Sequence, residues 1–200
     1  MRRALLPLGL LLASCTILAP QRDASRFFTL TAVAESPDGA APSNIAVGLG
    51  PVRVPAYLDR PELATRVASS EVSFSSNERW AEPLSASFRR VLAQNLATVL
   101  GTDEVVAFPW SAGTHVDWGV TVDLIRFERT ANGEVEVAAR WTVREHGTGR
   151  SRIARETRHT QKASGSGTAA AVDAWNEAVA ALSGDIAAAI RSLGPPHATP

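Results

Sequence analysis

The chain has 200 residues, with 20 Lys and Arg against 20 Asp and Glu, and 45% of its residues are hydrophobic. A formal charge of zero and a pI of 6.9 exclude the broad basic field by which nucleic-acid binders hold phosphates, and the apolar fraction is that of an ordinary globular domain. With one cysteine, neither an intramolecular disulfide nor a cysteine-rich zinc site can form, so stability must come from a hydrophobic core.

Arg2 and Arg3 precede an apolar stretch, Ala4 to Leu12, broken only by Pro7 and Gly9 and followed by the small residues Ala13 and Ser14. This is the layout of a secretory signal, and the stretch is shorter than the roughly 20 residues needed to cross a bilayer core. Leu12-Ala13-Ser14-Cys15 resembles the bacterial lipobox, in which the signal is cut before a cysteine that carries a diacylglycerol and an N-acyl chain. Several chains on one residue meet the requirement that stable anchoring takes more than one. Residues 1–14 are therefore expected to be signal peptide, Cys15 the lipidation site and residues 15–25 a lipidated tether. Thr16 stands where an Asp would mark retention in the inner membrane. By resemblance to lipoprotein sorting in enteric bacteria, the expected location is the inner leaflet of the outer membrane, facing the periplasm. The periplasmic face of the inner membrane is the alternative.

Arg26 to Val33 alternates as a first strand, and Glu35 to Ser43 reads as a loop. Ile45 to Val54 is a β-branched run containing Pro51, which cannot donate to a ladder and so requires a bulge or an edge there. Tyr57 to Glu62 is a turn, and Leu63–Ser69 and Glu71–Ser75 are strand pieces around a polar tip. From Glu82 to Leu100, Leu84, Phe88, Val91, Leu92, Leu96, Val99 and Leu100 recur at helical spacing, with Pro83 in the first turn and Gly101 at the C-terminal cap. A short strand is expected at Glu104–Phe108. Val116 to Leu124 then alternates until Ile125 and Phe127 take over the phase, which signals a bulge. Asn132-Gly133 is a hairpin signal; the return strand puts Val135, Val137, Ala139, Trp141 and Val143 on one face. Arg150 to Thr160 forms a third, more exposed antiparallel strand. After a Ser/Gly linker, a helix from Thr168 to Leu193 ends at Gly194-Pro195-Pro196, and residues 195–200 are expected to be a disordered tail. The elements predict one α/β domain over residues 26–194, a sandwich of a mixed, largely antiparallel sheet with two main helices.

The catalytic patterns fail on inspection. Gly48-Leu49-Gly50 lacks the third glycine of a dinucleotide fingerprint and continues into a strand, and Gly165-Ser166-Gly167 is not a nucleophile elbow. His115, His146, His159 and His197 have no ligand spacing, so no metal is expected. Asp117 and Asp123 could share a strand face, but nothing singles them out for acid and base work. The cluster Arg150, Arg152, Arg155 and Arg158 is what a protected edge strand would carry. No enzyme and no cofactor beyond the lipid on Cys15 are expected.

The stretches "FFTL", "IAVGLGPVRVPAYLDRPELATR", "NERWAEPLSASFRRVLAQNLATVL" and "VDWGVTVDLIRFERTANGEVEVAARWTV", in this order after a lipobox, resemble the ABC-type transport auxiliary lipoprotein, or PqiC-like, family. The resemblance spans about Phe27 to Leu193. It implies a compact fold similar to the N-terminal domain of TolB and a non-enzymatic role in an intermembrane lipid transport system. The implied partners are an MCE-domain protein and its inner-membrane transporter, with the lipoprotein docking the conduit at the outer membrane and forming a homo-oligomeric ring. No nucleic acid is implied. The family offers no catalytic residues to carry over. Tyr57, Arg60, Arg66 and Trp80 are the candidate partner-binding residues, because Arg and aromatic side chains near one loop have the composition of an interface hot spot. The rival reading is a periplasmic lipoprotein that itself binds and carries a lipid or other envelope component.

Overall fold

A computed structural model describes residues 24–36, 43–111 and 113–195. The expected signal peptide, Cys15, most of the tether and nearly all of the tail lie outside the described residues. Eight strands form one sheet: β1 (Arg26–Phe28), β2 (Val47–Arg53), β3 (Glu62–Ala68), β4 (Glu71–Trp80), β5 (Val105–Ala107), β6 (Trp118–Thr130), β7 (Glu134–Glu145) and β8 (Ser151–Lys162). Two helices, α1 (Leu84–Leu100) and α2 (Thr168–Leu193), complete the domain.

The hairpin β6–β7 is the spine. Gly133 adopts the positive φ, 86°, that the Asn-Gly turn requires, and the phase slip read from the sequence appears as a register shift between Leu124 and Arg126. β8 extends this hairpin antiparallel to β7. On its other edge β6 is shared: β2 runs parallel to residues 118–123, whereas β3 meets only Arg129 and Thr130. The sheet therefore forks at β6, one branch continuing to β5 and the other through β4 to β1. The two longest ladders are antiparallel, as expected, but β2 and β3 join β6 in parallel. Parallel neighbours need a crossover, and α1 lies within the one that leads from β2 to β5. Pro51 sits at a bulge, where the register of β2 against β6 shifts between Leu49 and Val52, and it lies past the end of β5, which pairs only with Val47–Leu49.

The helices touch each other and cover one face of the sheet, α2 over β7 and β8, α1 over β2 and β5. Beneath them Trp118, Val120, Val122, Val135, Val137, Ala139, Trp141 and Val143 are buried. Pro83 is the N-cap of α1 rather than part of its first turn, and Gly101 closes the helix in the left-handed conformation at φ 67°. The end of α2 is tied to the sheet by the Trp118 Nε1–H, which donates to the Gly194 carbonyl at 3.1 Å.

The first strand is shorter than its alternation suggests. Only Arg26–Phe28 pair in a ladder; the chain then leaves the sheet as an extended strap against the helices. Its amides go to side chains: Leu30 N–H donates to Ser87 Oγ at 3.3 Å, Thr31 N–H to Asn176 Oδ1 at 3.0 Å and Ala34 N–H to Asn95 Oδ1 at 3.1 Å. All three acceptors are buried. Polar residues on otherwise apolar helix faces thus supply the hydrogen bonds that a neighbouring strand would have given.

Candidate docking surface

The candidate residues are spread along the β3–β4 branch, Arg66 opposite Val72 near the hairpin tip and Trp80 at the far end beside Pro61, and the structure gives each a different role. Tyr57 is half-buried; its hydroxyl donates to Glu128 on β6. Arg66 on β3 forks onto the same carboxylate, through Nε and through Nη2, the latter at 2.7 Å. Glu128 is 1% exposed, so this is a buried, fully hydrogen-bonded ion pair. Burial pushes the Glu128 carboxyl up, but hydrogen bonds from Arg66 and Tyr57 and the charges of Arg66 and Arg126 outweigh it and hold the group below the usual carboxylate range. Burial, followed by the hydrogen bond to Glu128, pushes the Tyr57 phenol up to about 12.

Tyr57 is the only tyrosine, so tyrosinate absorbance reports this contact alone. The native chain is expected to titrate near pH 12, and the denatured chain near 10. A raised phenol pKa contributes stability below the unfolded value, lost as pH rises through the folded one. A native titration at the denatured value would mean that the Tyr57–Glu128 contact does not form in solution.

Arg60 remains at the surface. Its guanidinium lies 3.9 Å from the centroid of the Phe74 ring and bonds Glu62 at 2.7 Å. Beside it runs an open groove of about 270 Å³ lined by Asp59, Arg60, Pro61, Trp80, Ala81, Glu82 and Pro83. Contrary to the expectation from sequence, Trp80 does not stand at the surface. It is 5% exposed and belongs to the core, with ring centroids 5.4 Å from Trp175 and 5.8 Å from Phe127; Phe127 in turn stacks on Trp175 at 5.3 Å. It contributes only to the groove wall, because β4 turns its ring toward the helices. Arg66 is likewise a structural partner of Glu128, 19% exposed at its side chain. The candidates thus separate into a core residue, a buried knot and one accessible cation. Glu128 and Phe74 complete these contacts, and no local sequence signal marks either; the nearest is the phase slip before Phe127, which turns Glu128 away from the helix side.

The carboxylates considered for acid and base work are engaged separately. Asp117 accepts from the Ala46 amide at 2.9 Å, and Asp123 pairs with Arg53. His159 bonds Asp185 on α2 at 2.8 Å. Among the described residues no three His, Cys, Asp or Glu side chains gather as a metal site, and no helix is long and apolar enough to cross a membrane.

The fold is shared with solved structures. A crystal structure of a Xanthomonas campestris protein assigned to the DUF330 family aligns at a TM-score of 0.70 with 14% identity, covering 81% of this chain and 92% of that one. A second, of a protein described only as uncharacterized, aligns at 0.65 with 22% identity, covering 81% and 100%. These similarities establish the α/β fold. No curated protein matches the chain in sequence. A family model described as "ABC-type transport auxiliary lipoprotein component" matches residues 28–187, nearly the whole folded region. The chain belongs to the ABC-type transport auxiliary lipoprotein family.

Proposed function

We propose that the protein is the lipid-anchored auxiliary component of an MCE/ABC-type intermembrane lipid transport system and docks its periplasmic conduit at the outer membrane. The family match over residues 28–187 carries this reading, since that family is described as an auxiliary lipoprotein component of ABC-type transport. The sequence supports the anchor: Cys15 follows a lipobox-like Leu-Ala-Ser, and Thr16 is not an inner-membrane retention residue. A diacylglycerol and an N-acyl chain on Cys15 hold residues 26–194 at the inner leaflet, facing the periplasm. The partners are an MCE-domain protein with its inner-membrane transporter, and further copies of the chain in a ring. The Arg60 groove, with Trp80 in its wall, is the proposed contact, and the Tyr57–Glu128–Arg66 cluster ties the turn that carries Arg60 to β3 and β6. At about 270 Å³ and open to solvent, it falls below the roughly 300–1,000 Å³ of pockets that enclose drug-sized ligands. It suits a few side chains of a protein partner better than a whole lipid.

The test is affinity purification of the native lipoprotein from cell envelopes in gentle detergent, with mass spectrometry of the N-terminal peptide and of every co-purifying chain. Recovery of an MCE-domain protein together with triacylated Cys15 is the expected result. Acylated protein recovered alone with a bound lipid would replace this reading by that of a lipid carrier.

A further inference from the structure

The two branches of the forked sheet end in β5 and β1, strands of three residues each, too short to template pairing with another chain; beyond β1, residues 71–77 of β4 leave a shorter uncovered edge among the described residues. The opposite edge differs. β8 spans twelve residues, Ser151–Lys162, with no Pro or Gly, and all of them are exposed or half-buried. Its only neighbour among the described residues is β7, so one whole side of its backbone faces solvent. At about 3.4 Å per residue this is an edge of roughly 40 Å. It is also firmly seated: Trp141 Nε1–H donates to Thr157 Oγ1 at 3.2 Å, and His159 bonds Asp185 of α2 at 2.8 Å.

The charge of the edge is mostly positive. Arg150, Arg152, Arg155, Arg158 and Lys162 stand against Glu156 alone, and Glu156 is held by Arg140 at 3.0 Å. Arg152 and Arg158 lean back onto Glu145 and Glu136 of β7, at 3.3 and 3.0 Å. Arg155 makes no ion pair among the described residues. Two copies of β8 paired with each other would set these cations side by side, which is unfavourable. The same row lowers the cost of adding a strand that brings carboxylates, so the edge rejects its own kind and admits an acidic one.

We propose that the outer edge of β8 is a docking site for an extended acidic segment of a partner protein, which adds to the sheet as a ninth strand. Main-chain hydrogen bonds would provide affinity, and Arg155 with its flanking cations would select charge. This holds whichever transport system the chain serves, because it rests on the edge and its charge alone.

The test uses the full-length lipoprotein in detergent and a fluorescent twelve-residue peptide that alternates Thr or Val with Glu. Three comparison probes are the same peptide with Gln for Glu, a fully N-methylated version of the Glu peptide, and the Glu peptide against Arg155→Glu, a substitution that breaks no ion pair. The Glu peptide is expected to bind at least tenfold tighter than the Gln peptide and at least tenfold tighter than its N-methylated form, and several-fold more weakly to Arg155→Glu. Hydrogen exchange should slow within residues 151–162 on binding. Equal binding of the N-methylated peptide would reduce the effect to charge adhesion and overturn the proposal. So would equal binding of the Gln peptide, protection confined to other segments, or no binding of any probe.

Discussion

Trp80→Ala lowers the unfolding free energy by about 3–5 kcal/mol, the range for deleting a large aromatic from a packed core. Trp80 contacts Trp175 and Phe127 inside the helix–sheet interface, so the deletion leaves a cavity that α2 and β6 cannot both close. Urea unfolding checks it. A loss under about 1 kcal/mol would be the signature of a surface residue and would return Trp80 to the docking face. Arg60→Ala is the matched control. Its pair with Glu62 is exposed and screened by solvent and contributes little to stability, so weakened partner binding in that variant reports the surface rather than the fold.

Arg66→Met costs about 3–5 kcal/mol as well, for a different reason: it strands the Glu128 carboxylate in the interior, and breaking one side of a buried pair is far more costly than replacing both. Arg126, 3.7 Å from that carboxylate, is too distant to hydrogen-bond in its place. Arg66→Met with Glu128→Gln is expected to recover at least half of the loss, since a neutral Gln still accepts from Tyr57. The sign of the pH dependence follows from the lowered Glu128 pKa. In the wild type the contribution is present above the unfolded carboxyl value of about 4.3 and is lost as pH falls through the folded one. In Arg66→Met only Arg126 is left near the carboxylate, without a hydrogen bond to it, and burial dominates, so acid relieves it. The stability gap between the two proteins should narrow from pH 7 toward pH 4, as read from urea midpoints. A gap independent of pH would mean that Glu128 is not the group that Arg66 neutralises.

Both predictions fall where local sequence was least informative. Tyr57, Arg60, Arg66 and Trp80 lie within one stretch of chain and read as one surface of hot-spot composition near a loop. In the fold, β3 and β4 direct them to different environments. The decision about Arg66 belongs to a carboxylate 62 positions away, and that about Trp80 to α2. Similarly, Arg26 to Val33 has the alternation of a strand, yet Ser87, Asn95 and Asn176 draw residues 30–34 out of the sheet. Alternation records which side chains are buried and not what the backbone bonds to.

Features set by a few neighbouring residues were legible from the chain alone. These are the helix at 168–193, the cap at Gly101, the turn at Asn132-Gly133, the bulges at Pro51 and after Leu124, and the segment order by which the family was recognised. Backbone sterics, capping and apolar periodicity act over one or two turns and are written locally. Long-range packing decided that β2 and β3 join β6 in parallel and fork the sheet, that β8 is left as its longest edge among the described residues, and that Glu128 is buried between Tyr57 and Arg66. Strand pairing and ion-pair burial depend on groups far apart in the chain, whose meeting is fixed by how the helices and the sheet close on a common core.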